Sequence, residues 1–208
     1  MEQTTGRLFL GRHGNTKYNE ESAERIRGRA RIGLDADGRK DARDIAKALK
    51  GYGIERISTS PTPRTRQTAE IASKILDVPW RVDEGLVAWD LGILTGKLVD
   101  EAFDLVKKLE RNPDMVVPDG ETYRTWYERF AETLWKYIGW AKGGAPNTLL
   151  FSHARNLTAA PEILKDKQPK ALDWAHAPAP GSILEICVGR VCTPKLILGK
   201  YADKTLRS

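Results

Sequence analysis

Long apolar runs are missing from this 208-residue chain. No stretch approaches the ~20 residues that cross a bilayer, so a membrane-spanning helix is not expected. The opening residues, MEQTTG, are polar and contain no apolar signal core. A cytoplasmic location is the expectation that follows. Cysteine is scarce. Cys187 and Cys192 are the only two, which excludes a disulfide-stapled scaffold. They flank VGRV, and a Gly189-Arg190 turn would set them opposite each other on a hairpin. Without a secretory leader, two reduced thiols are the favoured reading. Histidine is almost as rare, with three residues. No Cys or His cluster has metal-ligand spacing, so neither a metal nor another cofactor is expected. Internal repeats and low-complexity segments are also lacking.

What is present describes a folded protein. Apolar residues make up 40% of the chain and charged residues 30%, the balance of a globular domain. The length suits a single domain over residues 1–208 with a buried core. The formal net charge of +6 favours small anionic partners. The densest basic run holds Arg25, Arg27, Arg29 and Arg31. It lacks the interleaved aromatics of a stacking surface, so nucleic acid is not an expected partner. The run reads as a solvated loop, with a second phosphate or a carboxylate of a substrate as the alternative contact. Oligomeric state is not legible.

Strand and helix signals alternate, the pattern of an α/β sheet. Strands are expected at 7–11 (RLFLG), 55–58 and 147–152 (NTLLFS), with a closing hairpin at 183–188 and 191–198. A helix at 41–50 turns Ala42, Ile45, Ala46 and Leu49 to one face. A second begins after Thr62, a candidate cap, with Pro63 in its first turn and Ala69, Ala72, Ile75 and Leu76 as its stripe. A third follows from about 155. Two more, at 100–109 and 121–141, sit either side of a Pro- and Asp-rich break and read as a cap-like insertion at about 97–142. These helices read as one wall of a cleft, and the Pro-rich stretch 165–180 as a loop that overhangs it. Trp89 and Trp174 either line that cleft or pack.

Three polar groups directly follow apolar segments, where α/β sheets bind ligands. Arg12-His13-Gly14 follows LFLG, Arg64 follows RISTSPTP, and His153 follows NTLLFS. The third histidine, His176, has no such placement. Phosphoryl transfer needs preorganised donors for spread negative charge, and two arginine forks supply them. A neutral imidazole can attack phosphorus. His13 suits that role, because Gly14 leaves room for close approach. His153 can then donate to an equatorial oxygen.

These segments resemble the motifs of the histidine phosphatase, or phosphoglycerate mutase-like, superfamily. LFLGRHGNTKYN matches its opening signature at Arg12, His13, Gly14, Thr16 and Asn19. Gly28, Leu34 and Gly38 fit the glycines and leucine that follow. STSPTPRTRQTA matches the second motif through Ser60, Pro61, Arg64, Gln67, Thr68 and Ala69. Gly120, Glu121 and Thr122 resemble a later step, and FSHA supplies Ser152 and His153 with Ala154 in place of glycine. The resemblance implies a three-layer α/β sandwich: a mostly parallel central sheet, helices on both faces and a helical cap. It implies His13 as the phosphorylated nucleophile, His153, Arg12 and Arg64 as the phosphate pocket, and Thr16 and Asn19 as further contacts. One departure concerns the acid. Ala88 stands where the family places a glutamate, and Asp90, two residues on, is the candidate replacement, or else a structural carboxylate capping a turn. The resulting expectation is a metal-independent phosphomonoester phosphatase acting on a small phosphorylated substrate. A phosphate-binding module with little or no turnover and a phosphoglycerate-type mutase are the alternatives.

Overall fold

The computed structural model describes residues 5–19, 23–169, 171–172, 177–188 and 194–201. One six-stranded sheet organises them, in the order β3-β2-β4-β1-β5-β6. The strands are β1 (Leu8–Arg12), β2 (Arg56–Thr59), β3 (Trp80–Val82), β4 (Thr148–Ser152), β5 (Ile183–Ile186) and β6 (Lys195–Leu198). The first four run parallel; β5 runs antiparallel to β1, and β6 runs antiparallel to β5. All five residues of β1 and all five of β4 are buried. That is why both read as unbroken apolar runs rather than as alternating ones: central parallel strands are covered on both faces.

The helices are α1 (Ala36–Ala48), α2 (Pro63–Leu76), α3 (Val99–Arg111), α4 (Tyr123–Lys142) and α5 (Ala154–Ile163). Side chains alternate across the sheet with period two. Phe9, Ile57, Leu149 and Phe151 join Ile45, Ala46, Ala69 and Ala72 of α1 and α2 in one core. Leu8, Leu10, Leu150 and Leu184 join Trp126, Phe130, Leu157 and Ala160 of α4 and α5 in the other. The mostly parallel α/β sheet with helices on both faces is therefore the observed architecture. Within the expected insertion, α4 packs against α5 and β1 and so belongs to the sheet's helical layer.

Several local expectations shift. Helix α1 starts earlier than its apolar face, because Asp35 caps it by accepting from Gly38 N–H. Thr62 occupies the cap position of α2 without a side-chain cap bond; its hydroxyl meets Thr65 Oγ1 at 2.9 Å instead. Strand β3 has no apolar run to announce it, since two of its three residues are exposed. Cys187 is disulfide-bonded, contrary to the reading of reduced thiols. Cys192, the Gly189-Arg190 turn, Trp174 and His176 lie outside the described residues. No described helix is long and apolar enough to cross a membrane.

Candidate active site

The sheet register assembles the site. Arg12 lies opposite Ser152 at the ends of β1 and β4. The next residues, His13 and His153, thus leave their strands at the same level, and His13 N–H still donates to Ser152 O at 3.2 Å. Their rings approach edge-on with centroids 5.5 Å apart. Strand β2 lies beside β4, and the helix that follows it brings Arg64 in from the second position of α2. Arg64 Nε donates to His13 Nε2 at 3.2 Å, and Arg64 Nη2 donates to His153 Nδ1 at 3.2 Å. His13, His153, Arg12 and Arg64 are all buried.

The bonds define the tautomers. Gly14 O can only accept, so the 2.7 Å contact from His13 Nδ1 requires the proton on Nδ1. The Nε2 lone pair then faces Arg64. His153 is the reverse: Nδ1 accepts from Arg64, and Nε2 lies 2.8 Å from Ser60 Oγ. Burial first, then the charge of Arg64, holds both imidazoles well below the usual histidine range. Both are neutral at physiological pH, which a nucleophilic imidazole requires.

The two arginines are fixed by the backbone. Arg64 Nη1 donates to Ala30 O at 3.1 Å and its Nη2 to Gly28 O at 2.7 Å. Arg12 Nη1 donates to Pro178 O at 2.7 Å, while its Nε is buried with no partner. Burial, then the charge of Arg27, pulls Arg12 and Arg64 down to about 9, so both stay protonated at neutral pH. Among the described residues neither forms an ion pair with a carboxylate. Two buried cations without an anion are costly, and an anion between them relieves that cost.

Gly14 has a different role from the one expected. A Cβ there would meet Gly38 O at 2.3 Å, and a Cβ on Gly38 would meet Asn15 O at 2.0 Å. The two glycines let the loop after β1 lie directly on the first turn of α1. Thr16 donates through its backbone N–H and its hydroxyl to Asn19 Oδ1, at 3.1 and 2.9 Å, which folds the segment between them into a compact turn.

Asp90 is held in a turn. Its Oδ1 accepts from Gly92 N–H at 3.1 Å, and its Oδ2 faces Arg29 at 3.4 Å. No hydrogen bond joins it to His13, His153, Arg12 or Arg64. Glu121 is a structural node: it accepts from Arg29, from both terminal nitrogens of Arg129 and from Asp90 N–H. Trp89 is buried, packed against Tyr123 with ring centroids 5.1 Å apart and under the Arg155 guanidinium. Arg155 in turn pairs with the buried Glu110.

The basic run is only partly solvated. Arg25, Arg27 and Arg29 donate to Gly96 O, Tyr18 O and Ala88 O; Arg25 and Arg27 are half-buried, while Arg29 and Arg31 are exposed. The carbonyls that hold Arg64 and the hydroxyl of Ser60 were not assigned from sequence. Ser60 was visible as part of the second motif, but its partner is 93 residues away. No sequence signal marks a carbonyl as an arginine anchor.

The model of the histidine phosphatase superfamily (branch 1) matches residues 8–192. A protein of Klebsiella pneumoniae named "Probable phosphoglycerate mutase GpmB" is 32% identical over 151 residues, 70% of this chain and 68% of its own. Its namesake in Cronobacter sakazakii is 32% identical over 155 residues, 72% of this chain and 70% of its own. Among solved structures, mycobacterial hydrolase 1 superposes with a TM-score of 0.76 at 20% identity, covering 95% of this chain and 99% of that one. A mycobacterial glucosyl-3-phosphoglycerate phosphatase gives 0.74 at 18% identity, covering 95% and 100%.

Proposed function

The chain belongs to the histidine phosphatase superfamily, and from that premise we propose that it is a phosphomonoester phosphatase working through a phosphohistidine on His13. The observation that carries the reading is the pair of buried guanidiniums, Arg12 and Arg64, converging on two neutral imidazoles with no carboxylate partner. A phosphoryl group supplies the missing negative charge.

The steps follow from the atoms. A phosphate oxygen takes over the Arg64 Nε–H that now points at His13 Nε2, which frees the lone pair for attack on phosphorus. The Nδ1–H bond to Gly14 O holds the ring and stabilises the positive charge that develops on it. The buried Nε–H of Arg12 and the fork of Arg64 meet the equatorial oxygens. A phosphate bound as the monoanion passes its proton to His153 Nδ1, which then donates it to an equatorial oxygen. Ser60, which can donate as well as accept, supports either tautomer through Nε2. As the Nε2–P bond forms, the ester P–O bond breaks and the alkoxide leaves with a proton from solvent water. A second water then attacks phosphorus and gives a proton to solvent; the Nε2–P bond breaks, and inorganic phosphate leaves with His13 neutral again. The carboxylate of Asp90 is assigned to the turn at Gly92, not to proton transfer. Arg12 and Arg64 do the charge work, so the reaction proceeds without a metal. A small soluble phosphate ester is the substrate class.

Transfer back to a bound product is the second reading, favoured by the name of the enterobacterial relatives. The deciding experiment measures phosphate release from a panel of phosphomonoesters, p-nitrophenyl phosphate included, beside interconversion of phosphoglycerates. Hydrolysis that is abolished by His13→Ala and indifferent to EDTA supports the phosphatase. Phosphoglycerate interconversion without net phosphate release overturns it in favour of the mutase.

A further inference from the structure

We propose that Arg27 determines substrate specificity at this site: its guanidinium takes a second anionic group, a carboxylate or a phosphate, a short distance from the phosphoryl group held by Arg12 and Arg64. The inference rests on the phosphatase reading for the identity of the first anion.

Position is the first argument. Arg27 Nη1 donates to Tyr18 O at 2.9 Å, within the turn that joins Thr16 to Asn19. The next residue, Gly28, gives its carbonyl to Arg64 Nη2 at 2.7 Å. Arg27 therefore spans the space between the Asn19 turn and the anchor of Arg64. Arg27 is also among the charges that pull Arg12, Arg64 and His153 downward.

Rigidity is the second. Gly28 has φ +40°, and a Cβ on it would meet Thr95 Oγ1 at 2.6 Å. Ile26, on the other side, donates through its backbone N–H to Lys97 O at 2.9 Å. A guanidinium presented from a fixed backbone loses little freedom when it binds.

Charge is the third. Arg27 pairs with Glu24 Oε1 through one nitrogen at 3.0 Å, and its side chain is 14% exposed. Of the five N–H groups of a guanidinium, those two bonds use two. The fork suits a carboxylate or a phosphate. A phosphate dianion offsets the charges of Arg12 and Arg64, and a second anion on the same molecule offsets Arg27 in competition with Glu24.

The test measures dissociation constants by calorimetry for three probes: glycerol 3-phosphate, 3-phosphoglycerate and 2,3-bisphosphoglycerate. The first carries one anionic group, the second adds a carboxylate, and the third adds a further phosphate. Wild type is expected to prefer at least one of the latter two by about tenfold or more, the scale of one charge-assisted contact. Arg27→Gln should reduce that preference below about threefold while holding glycerol 3-phosphate affinity within about threefold. Arg27→Lys should keep part of the preference, because it keeps the charge. Equal weakening for all three probes, or no weakening, overturns the proposal. If Arg27→Gln does not fold, wild type without any preference overturns it equally. Phosphate release is scored separately: a chain that discriminates the probes but hydrolyses none keeps the Arg27 assignment and loses the phosphatase reading.

Discussion

Ser60 Oγ lies 2.8 Å from His153 Nε2, and this bond orients the imidazole whose other nitrogen meets Arg64. Ser60 itself is fixed at the end of β2, where its N–H donates to Phe151 O at 3.0 Å. Ser60 acts on the reaction only through His153. Ser60→Ala should lower kcat by about tenfold, the scale of one lost orienting hydrogen bond, and leave KM nearly unchanged. Ser60→Thr, which retains a hydroxyl, should recover most of the loss. Steady-state kinetics of the two variants check this, and an unaltered kcat in Ser60→Ala would remove the serine from the mechanism.

The depressed histidines give a signed pH dependence. Both are neutral in the folded chain well below the ordinary value of 6.5. The acid limb of kcat/KM should therefore lie below 6.5 once the substrate's own ionisation, at about pH 6, is divided out. Stability follows the same sign. Below 6.5 the unfolded chain binds protons that the folded chain refuses, so stability is intact above 6.5 and declines as pH falls through that value. Denaturant midpoints at a series of pH values measure it; stability that rises on acidification from 6.5 would contradict the burial of neutral imidazoles.

An anion should stabilise the fold before any chemistry occurs. Inorganic phosphate at a hundred times its dissociation constant is worth about 2.7 kcal/mol to the folded state. Thermal melts with and without phosphate should show the gain in wild type. Arg64→Ala should lose most of it, since that guanidinium touches both histidines. A full gain in Arg64→Ala would place the anion elsewhere.

Asp90 offers a sharper choice. Its carboxylate accepts from Gly92 N–H and faces Arg29, as a turn cap does. Asparagine keeps an acceptor there, so Asp90→Asn should hold kcat within about threefold, far from the hundredfold scale at which a general acid contributes. A fall of that larger size, seen in initial rates, would return Asp90 to the acid role.

Much of the site was legible because it hangs on strand ends. Parallel central strands leave long apolar signals, so β1 and β4 announced themselves, and His13 and His153 come next in the chain. Arg64 was equally visible through Pro63 at the head of α2. Contacts across long sequence distances were not. The carbonyls of Gly28 and Ala30 that hold Arg64, and the Ser60 hydroxyl on His153, depend on tertiary packing that local pattern does not encode. The pairing of Gly14 with Gly38 is similar: each glycine suggests room, and only the folded chain shows that Gly38's backbone fills it at Gly14 and Asn15's backbone fills it at Gly38. Strand β3 escaped because an exposed three-residue edge strand has no buried face to set its pattern.

The most direct test is to trap the intermediate. A rapid quench after mixing enzyme with a phosphomonoester, followed by peptide mapping and phosphorus NMR, locates any phosphoryl group on histidine. The geometry requires an acid-labile, base-stable phosphate on His13 at Nε2, since Nδ1 is committed to Gly14 O. Phosphate on Nδ1, on His153, or on no histidine despite turnover would contradict the account.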